Sequence, residues 1–445
     1  MAPFQADVLL DGEIAKDAAV DPPPPKSLDL AESLSDVRST EGRLSGDETA
    51  YEVHPALLGS LTPPLSDESQ LANFSPGPTS LPRAVEEEIA GRFNRGPGRL
   101  TSLALSHRSP EFGDILKRAV SSVRRVLEVP DDYEVLFMHG GGHGQFAAVP
   151  LNLCADRSEV ATYIVTGTWS KRALIDAGKF CAPHIVDKTG PGYTTFPELD
   201  ESDIAPGSKF VYLCSNETVN GVELHRLPQL PKKHRDVPLV VDASSDVTTK
   251  AIDWVGANVG LLFACASKNI GHPGVTLVVV RRDLIGSASP LCPGVFDYAA
   301  NVAAGNLYNT APTFNIEVVG MVMDWIEAEG GVPEMERRSI AKSAALYKVI
   351  DESDGFYTTP VSDPGVRSRM NVPFDVAGGN IVLTEQFLIE SWELGMVGLR
   401  THTPFGAARY LRASLYHGVS AEQVARLERF MRDFAARHSA SFGSS

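Results

Sequence analysis

The sequence predicts an α/β fold in which helices cover both faces of a mostly parallel sheet. Two observations support this prediction. Short apolar runs rich in β-branched residues recur through the middle of the chain, and amphipathic helical patterns separate several of them. Strands buried on both faces read as continuous apolar runs, because neither face meets water. The predicted strands are 135–138, 161–165, 210–214, 239–241, 260–265 and 275–280.

Helical patterns, with apolar residues three or four positions apart, predict the elements that cover this sheet. We assign residues 71–310 to a large domain that contains all the predicted strands. Beyond it, helices mix with short strand-like pieces, which predicts a smaller C-terminal α+β domain at 311–445. The predicted helices are 83–93, 111–127, 171–178, 316–329, 339–351 and 421–438.

The first 70 residues differ from the rest of the chain. They are poor in aromatic residues and rich in Asp, Glu, Ser and Pro, with four consecutive prolines at 22–25. Such a segment buries too little apolar surface to offset the entropy lost on ordering. We therefore predict a disordered or loosely attached acidic, proline-rich extension at 1–70, with one short helix around 28–37.

Composition excludes several classes of function. The formal charge of −16 argues against a nucleic-acid binder, which needs clustered Lys and Arg. No apolar stretch approaches the about 20 residues that span a bilayer, and the acidic start lacks the features of a targeting peptide. The five cysteines are scattered without a CxxC pair, which predicts buried thiols and no metal site. We expect a cytoplasmic protein with no nucleic-acid or membrane partner.

Lys268 is the first candidate for a catalytic residue. It follows the apolar run at 260–265 and precedes a turn at Gly271. Burial there would lower its pKa toward neutrality and leave a nucleophilic amine, as a covalent bond to a carbonyl cofactor requires. The alternative is a lysine at the end of a strand whose side chain points into solvent.

An acidic residue ends the preceding predicted strand, where it could pair with a ring nitrogen of such a cofactor. Asp242 is our candidate, and Asp246 could instead cap a turn. The loop at 140–144, with four glycines, leads from a strand into a predicted helix and could bind a phosphate through its N–H groups. Trp169 could stack on a flat ring, and Thr218 could supply a hydroxyl. Each feature alone also suits a turn or a core residue.

Together these segments resemble the phosphoserine aminotransferases, a family of fold-type I enzymes that depend on pyridoxal 5′-phosphate. The resemblance runs from about Asn73 to His438 and is carried by many motifs in the same order. They are Asn73-Phe-Ser-Pro-Gly-Pro, Ser106-His-Arg-Ser-Pro-Glu-Phe, Gly140-Gly-Gly-His-Gly-Gln-Phe, Thr166-Gly-Thr-Trp-Ser-Lys, Ser215-Asn-Glu-Thr, Ser267-Lys-Asn-Ile-Gly, Leu307-Tyr-Asn-Thr-Ala-Pro, Arg367-Ser-Arg-Met-Asn and Arg412-Ala-Ser-Leu-Tyr.

The resemblance implies a homodimer with shared active sites, in which Lys268, Asp242 and Trp169 are catalytic. Lys268 would bind the cofactor covalently and move the substrate α-proton. The residues that it implies for cofactor binding are Gly142, His143, Trp169, Thr218, Asp242, Ser267 and Lys268, with Asn309 and Thr310 from the partner subunit. For substrate binding it implies Arg412 at the α-carboxylate, and His402 with the partner's His107 and the partner's Arg108 at the distal anion.

The chain departs from the family pattern at three positions. Ser267 stands where the family usually has Gln, and His143 where it usually has Arg. Thr403 stands where an arginine would face the substrate phosphate, and Arg409 could substitute from a shifted loop. Loss of one charge-assisted hydrogen bond costs about 1.5–3 kcal/mol.

Three functions therefore stay open. The first is phosphoserine:2-oxoglutarate transamination, in which 3-phosphohydroxypyruvate and glutamate give phosphoserine and 2-oxoglutarate in serine biosynthesis. The second is transamination of a different amino or oxo acid, which Thr403 suggests. The third is a catalytically silent scaffold with an acidic tail, which the joint presence of Lys268, Asp242 and Trp169 disfavours.

Overall fold

A seven-stranded sheet forms the centre of the chain in the computed structural model, which describes residues 54–57, 60–63, 71–93, 100–190, 192–401 and 410–442. Its strand order is β2-β10-β9-β8-β5-β3-β4, and every neighbouring pair is parallel except the two that involve β10. The strands are β2 Tyr133–Met138, β3 Val160–Ile164, β4 Ala182–Val186, β5 Val211–Cys214, β8 Leu239–Asp242, β9 Val259–Cys265 and β10 Thr276–Arg281. The predicted mostly parallel sheet is confirmed.

The sheet is buried on both faces, which explains the continuous apolar runs. Along β8, Leu239 and Val241 pack into one hydrophobic cluster, whereas Val240 packs into the cluster on the opposite face. This alternation follows from the two-residue period of a strand. Because each cluster is covered by helices, neither face of the central strands needs polar residues.

Nine α-helices accompany this sheet and the C-terminal region within the described residues. They are α1 Arg83–Phe93, α2 Pro110–Val126, α3 Gly141–Leu153, α4 Thr168–Ala177, α5 Tyr298–Ala303, α6 Thr313–Ala328, α7 Gly331–Asp351, α8 Ile381–Glu393 and α9 Ala421–Phe442. The predicted helix at 83–93 has the observed bounds. Helix α7 begins eight residues before the predicted 339, since Pro333 lies in the first turn, where a missing N–H costs nothing.

The C-terminal region has its own small sheet, in the order β11-β12-β14, and an aromatic core that includes Phe374, Phe387 and Phe430. The short strands of the described residues are β1 Ala72–Asn73, β6 Asn216–Glu217, β7 Val222–Glu223, β11 Tyr357–Thr358, β12 Asn371–Val376, β13 Met396–Val397 and β14 Leu411–Ser414. Strand β1 pairs with β13, so the chain near residue 72 packs with the C-terminal core.

The described residues from 54 to 442 belong to one compact unit. The boundary at residue 310 stays a prediction. The predicted helix around 28–37 lies outside the described residues, as does the predicted extension except for 54–57 and 60–63.

Candidate active site

Two neighbouring parallel strands deliver the central residues of the candidate site. Strand β8 ends at Asp242, and Lys268 lies three residues beyond the end of β9. Carboxyl ends of parallel strands meet at one edge of a sheet, where ligand sites commonly form. A cavity of about 290 Å³ lies there. Eight residues predicted from the sequence line it, namely Gly142, His143, Trp169, Thr218, Asp242, Ser267, Lys268 and Arg412.

The amine of Lys268 reaches into this cavity. Its Nζ lies 3.5 Å from Thr218 Oγ1 and 5.6 Å from the centroid of the Trp169 ring. Gly77 leaves room for the lysine stem, because a Cβ on this residue would lie 3.2 Å from Lys268 Cγ. The side chain therefore points between a hydroxyl and an aromatic face, and the solvent-facing alternative is excluded.

The direction of the pKa shift of Lys268 differs from the expectation. Burial lowers the pKa of its amine, but the negatively charged forms of Tyr416, Cys265 and Asp242 raise it, and the net shift is upward. The prediction that burial would bring this pKa toward neutrality is wrong, because acidic neighbours counteract burial. Lys268 must therefore give up a proton before it can act as a nucleophile.

Asp242 is a buried carboxylate in the lining of the same cavity. Its Oδ1 accepts a hydrogen bond of 2.9 Å from the backbone N–H of Ser244, and its Oδ2 lies 3.4 Å from the hydroxyl of Tyr212. Burial raises its pKa, while the bond from Ser244 and the charge of Lys268 act in the other direction. A protonated ring nitrogen placed against this carboxylate would stabilise its charged form.

Asp246, the alternative acidic residue, has a structural role. It forms a buried ion pair with Lys250 and accepts a hydrogen bond of 2.6 Å from Ser215 Oγ. It is absent from the described lining of the cavity. The choice of Asp242 over Asp246 is therefore supported by their positions.

Trp169 lies in the first turn of α4, and a buried residue that sequence reasoning missed fixes that turn. The carboxylate of Glu217 accepts hydrogen bonds of 2.9 Å from the backbone N–H groups of both Trp169 and Ser170. Burial raises the pKa of Glu217, and these hydrogen bonds lower it. Gly167 permits the approach, because a Cβ there would lie 2.4 Å from Glu217 Cδ. Helix α4 therefore begins three residues before the predicted 171.

The glycine loop forms the N-terminus of α3. Gly140 has a φ of +97°, and a Cβ on it would lie 3.0 Å from the Cα of Gly144, so this tight turn requires glycine. The backbone N–H of Gly142 donates a 2.9 Å hydrogen bond to the Sγ of Cys265, which also lines the cavity. N–H groups at a helix N-terminus form an anion site, so this end of the cavity suits a phosphate.

Arg412 enters the cavity from β14. One guanidinium nitrogen donates a 3.1 Å hydrogen bond to the carbonyl of Thr218. Its Nε is buried and has no hydrogen-bond partner among the described residues, and burial lowers the pKa of the guanidinium. A buried guanidinium with an unused donor favours a carboxylate ligand.

Similarity to known proteins identifies the family. Residues 71–427 match the model of the family described as aminotransferase class-V. The chain belongs to the class-V aminotransferase family. A probable phosphoserine aminotransferase of Caenorhabditis elegans is 40% identical over 372 residues, which cover 82% of this chain and 97% of that protein. The phosphoserine aminotransferase of Albidiferax ferrireducens is 39% identical over 374 residues, covering 82% and 99%.

Solved structures agree with the family assignment. The phosphoserine aminotransferase of Bacillus circulans subsp. alkalophilus matches with a TM-score of 0.75 at 33% identity, over 83% of this chain and 99% of its own. The enzyme from Trichomonas vaginalis, solved with pyridoxal phosphate bound, matches with a TM-score of 0.74 at 29% identity, over 81% and 99%. The predicted fold of fold-type I transferases is confirmed.

As in a class-V aminotransferase, the residues present fit pyridoxal phosphate. The cavity offers helix N–H groups for a phosphate, the Trp169 face for a flat ring, Asp242 for a ring nitrogen and Lys268 for a carbonyl carbon. Cys265 and Ser244, which are hydrogen-bonded to each other at 3.4 Å, add a thiol and a hydroxyl to the lining. Sequence reasoning missed both, because Cys265 ends the apolar run of β9 and Ser244 lies in the short polar stretch after β8.

Four predicted residues lie elsewhere in this class-V aminotransferase. His107 and Thr310 line a separate open cavity of about 420 Å³, and their neighbours Arg108 and Asn309 are exposed. Their predicted roles in the site of a partner subunit stay predictions.

His402, Thr403 and Arg409 lie outside the described residues. Among the helices that are described, none combines the length and hydropathy that crossing a membrane demands. The same part of the chain holds no group of three or more His, Cys, Asp or Glu side chains arranged to bind a metal ion.

Proposed function

We propose that this chain is a pyridoxal-phosphate-dependent phosphoserine:2-oxoglutarate aminotransferase of serine biosynthesis. One observation carries the proposal: Lys268, Trp169 and Asp242 line a single cavity, with the lysine amine 5.6 Å from the centre of the indole ring. The similarity to curated phosphoserine aminotransferases at about 40% identity supports the choice of substrate.

Each residue has a distinct part in this reaction. Bound pyridoxal phosphate supplies a carbonyl that exchanges amines and a ring that accepts electrons. Asp242 keeps the ring nitrogen protonated, and the indole of Trp169 holds the ring and excludes water from one side. The amine of Lys268 would take the proton from the substrate α-carbon. Arg412 binds the α-carboxylate and so orients the C–H bond.

Substrates alternate at the same cavity. The amine of the donor passes to the acceptor oxo acid, so the donor leaves as an oxo acid and the acceptor leaves as an amino acid. The same residues must therefore accept glutamate and phosphoserine, two acids that share the α-carboxylate and differ in the distal anion. We further propose a cytoplasmic homodimer, in which the exposed Arg108 and Asn309 with their neighbours His107 and Thr310 complete the site of the other subunit.

Spectroscopy of the purified protein tests this function. Phosphoserine and glutamate, added separately, should each convert the visible absorbance of the bound cofactor to that of its amine form, whereas serine and alanine should do so slowly. Lys268→Ala should abolish turnover, while its far-ultraviolet circular dichroism stays that of the wild type. Unchanged turnover in Lys268→Ala would reject the assignment.

Transamination of a different acid is the second candidate, because Thr403 stands where the family usually has arginine. Thr403→Arg should lower the Michaelis constant for phosphoserine about tenfold if the pocket only lacks that charge. No improvement, together with faster conversion by another donor, would favour the second candidate.

A further inference from the structure

A second cavity of about 380 Å³ adjoins the candidate active site. Pro76, Gly77 and Arg412 line both cavities. An acid bound at Arg412 with its amine toward Lys268 therefore has this second space beside it. The space is large enough for the distal half of a small amino or oxo acid.

One wall of the second cavity comes from the chain before residue 71. Ala56, Ser60 and Leu61 line the cavity, and we refer to residues 54–57 and 60–63 as the N-terminal wall segment. Ala56 is buried in a small cluster with Trp392 and Val397. This wall lies before the start of the match to the family model, which begins at residue 71.

Three contacts hold the N-terminal wall segment in place. The indole Nε1 of Trp392 donates a 2.9 Å hydrogen bond to the carbonyl of Ser60, and the His54 ring packs edge-on at 5.1 Å from the Trp392 ring. The guanidinium of Arg400 donates to the carbonyl of Leu57. The segment is therefore tied to helix α8 and to the chain that follows β13.

The charges that line the second cavity favour an anion. Among its described lining residues the charged side chains are those of Arg400 and Arg412, and no carboxylate faces them. Arg412 is 5% exposed, and its Nε has no partner among the described residues. A buried donor of this kind loses free energy unless a ligand satisfies it, and an oxygen anion does so best.

We propose that the N-terminal wall segment determines substrate selectivity. With Arg400 it forms one side of the space beside Arg412, and it would add to the partner's His107 and the partner's Arg108 in selecting the distal anionic group of the amino or oxo acid, phosphate or carboxylate. The inference rests on the proposed function, because it specifies how that same site distinguishes acids. Because the carbonyl of Leu57 accepts a hydrogen bond from Arg400, this segment, which precedes the match to the family model, would position a positive charge near the distal group of the substrate.

Charge substitutions at Leu61 test this role in the full-length holoenzyme. Leu61 is 46% exposed, so it should tolerate a charged side chain without loss of the fold. Leu61→Glu should lower the ratio of kcat/KM for phosphoserine to kcat/KM for alanine by about threefold to tenfold, since a phosphate carries nearly two negative charges. Leu61→Arg should raise the same ratio to a similar extent.

The matched control is Val255→Glu, which places the same charge at a residue that is 83% exposed and lines neither cavity. It should leave the ratio unchanged. Trp392→Phe keeps an aromatic ring but removes the bond to Ser60, and it should shift the ratio while the absorbance of the bound cofactor stays constant.

The outcomes separate the two proposals. If the wild type reacts with amino donors but both Leu61 variants keep its ratio of kcat/KM values, the wall has no role in selectivity. The proposed function is then unaffected. A wild type that converts no donor would overturn the proposed function, and the inference with it. Opposite shifts in Leu61→Glu and Leu61→Arg would establish the role.

Discussion

The carboxylate of Glu217 lies 2.9 Å from the backbone nitrogen of Trp169 and holds the first turn of α4 against the sheet. Glu217 itself is fully buried, and a Cβ on Gly167 would overlap it. The indole that faces Lys268 is therefore positioned by a side chain that does not line the described cavity. Glu217 is a positioning residue for the ring-binding face.

Replacing Glu217 by Gln should loosen this turn. The amide keeps the shape and one acceptor oxygen, but its NH₂ group cannot accept a hydrogen bond, so one of the two N–H groups of Trp169 and Ser170 loses its partner. Loss of a helix cap costs about 1–2 kcal/mol, so the free energy of unfolding should fall by that amount. The visible circular dichroism of the bound cofactor should also weaken, because the ring loses its fixed orientation against Trp169.

The exposed Glu198 provides the matched control for this change. Glu198→Gln should leave both the unfolding free energy and the cofactor signal at wild-type values. A Glu217→Gln variant that loses stability but keeps the full cofactor signal would show that Glu217 stabilises the fold without positioning Trp169.

Asp242→Asn tests whether Asp242 keeps the ring nitrogen of the cofactor protonated and whether it contributes to cofactor binding. An amide cannot hold the ring nitrogen protonated, so kcat should fall by about 10²- to 10⁴-fold. Burial raises the pKa of Asp242 in the free site. The neutral carboxyl pairs poorly with a cation, so cofactor affinity should decline as the pH falls through this raised pKa. Titrations of cofactor affinity should be flatter with pH in Asp242→Asn than in the wild type; parallel curves would contradict this pairing.

The sequence predicts those site residues that directly follow a strand of the parallel sheet. Lys268, Asp242 and the glycine loop each follow a strand, and the parallel sheet brings all three strand ends to one edge. Periodicity alone suffices for that step, since the carboxyl ends of parallel strands share an edge. Gly142, Asp242 and Lys268 follow this rule, whereas Arg412 comes from β14 of the small sheet and was expected only from the family resemblance.

Contacts between residues that are distant in sequence could not be predicted in the same way. Glu217 reads as part of a polar turn, and only the close passage of Gly167 makes it a helix cap. The pKa of Lys268 is raised and not lowered as predicted, because Tyr416, 148 positions later in the chain, raises it. The packing of Ala56 against Trp392 could not be predicted, since the two residues are far apart in sequence.

Cys265 should report cofactor binding by its reactivity. Its thiol lines the cavity and lies 2.9 Å from the N–H of Gly142, at the end suited to a phosphate. Burial raises its pKa, so alkylation should be slow and should accelerate as the pH rises. Iodoacetamide should modify Cys265 at least about tenfold more slowly with pyridoxal phosphate than without it, as measured by peptide mass spectrometry.

Cys292 is the internal reference for this experiment. It is half-buried outside the cavity, and burial raises its pKa to about 11. Its rate of alkylation should be the same with and without the cofactor. Equal protection of both thiols would indicate a global change in the protein, and no protection of Cys265 would place the cofactor elsewhere.

His417 should make the stability of the protein sensitive to acid. Its Nε2 shares a 2.8 Å hydrogen bond with the Thr248 hydroxyl. Burial, with the charges of Lys342 and Arg338, lowers the pKa of His417 to about 3. An unfolded histidine titrates near 6.5, so below that pH the unfolded chain binds a proton that the folded chain does not. The stability contributed by neutral His417 is therefore complete above pH 6.5 and is lost as the pH falls toward 3.

The loss should approach about 1.4 kcal/mol for each pH unit in that window, the value for one proton. His417→Gln keeps a polar group near Thr248 but does not titrate, so its unfolding free energy should fall less steeply between pH 6 and pH 4. Urea unfolding at several pH values measures both slopes, and His184→Gln, the same change on the edge strand β4, is the matched control. Identical slopes in the wild type and His417→Gln would mean that His417 is protonated in the folded protein.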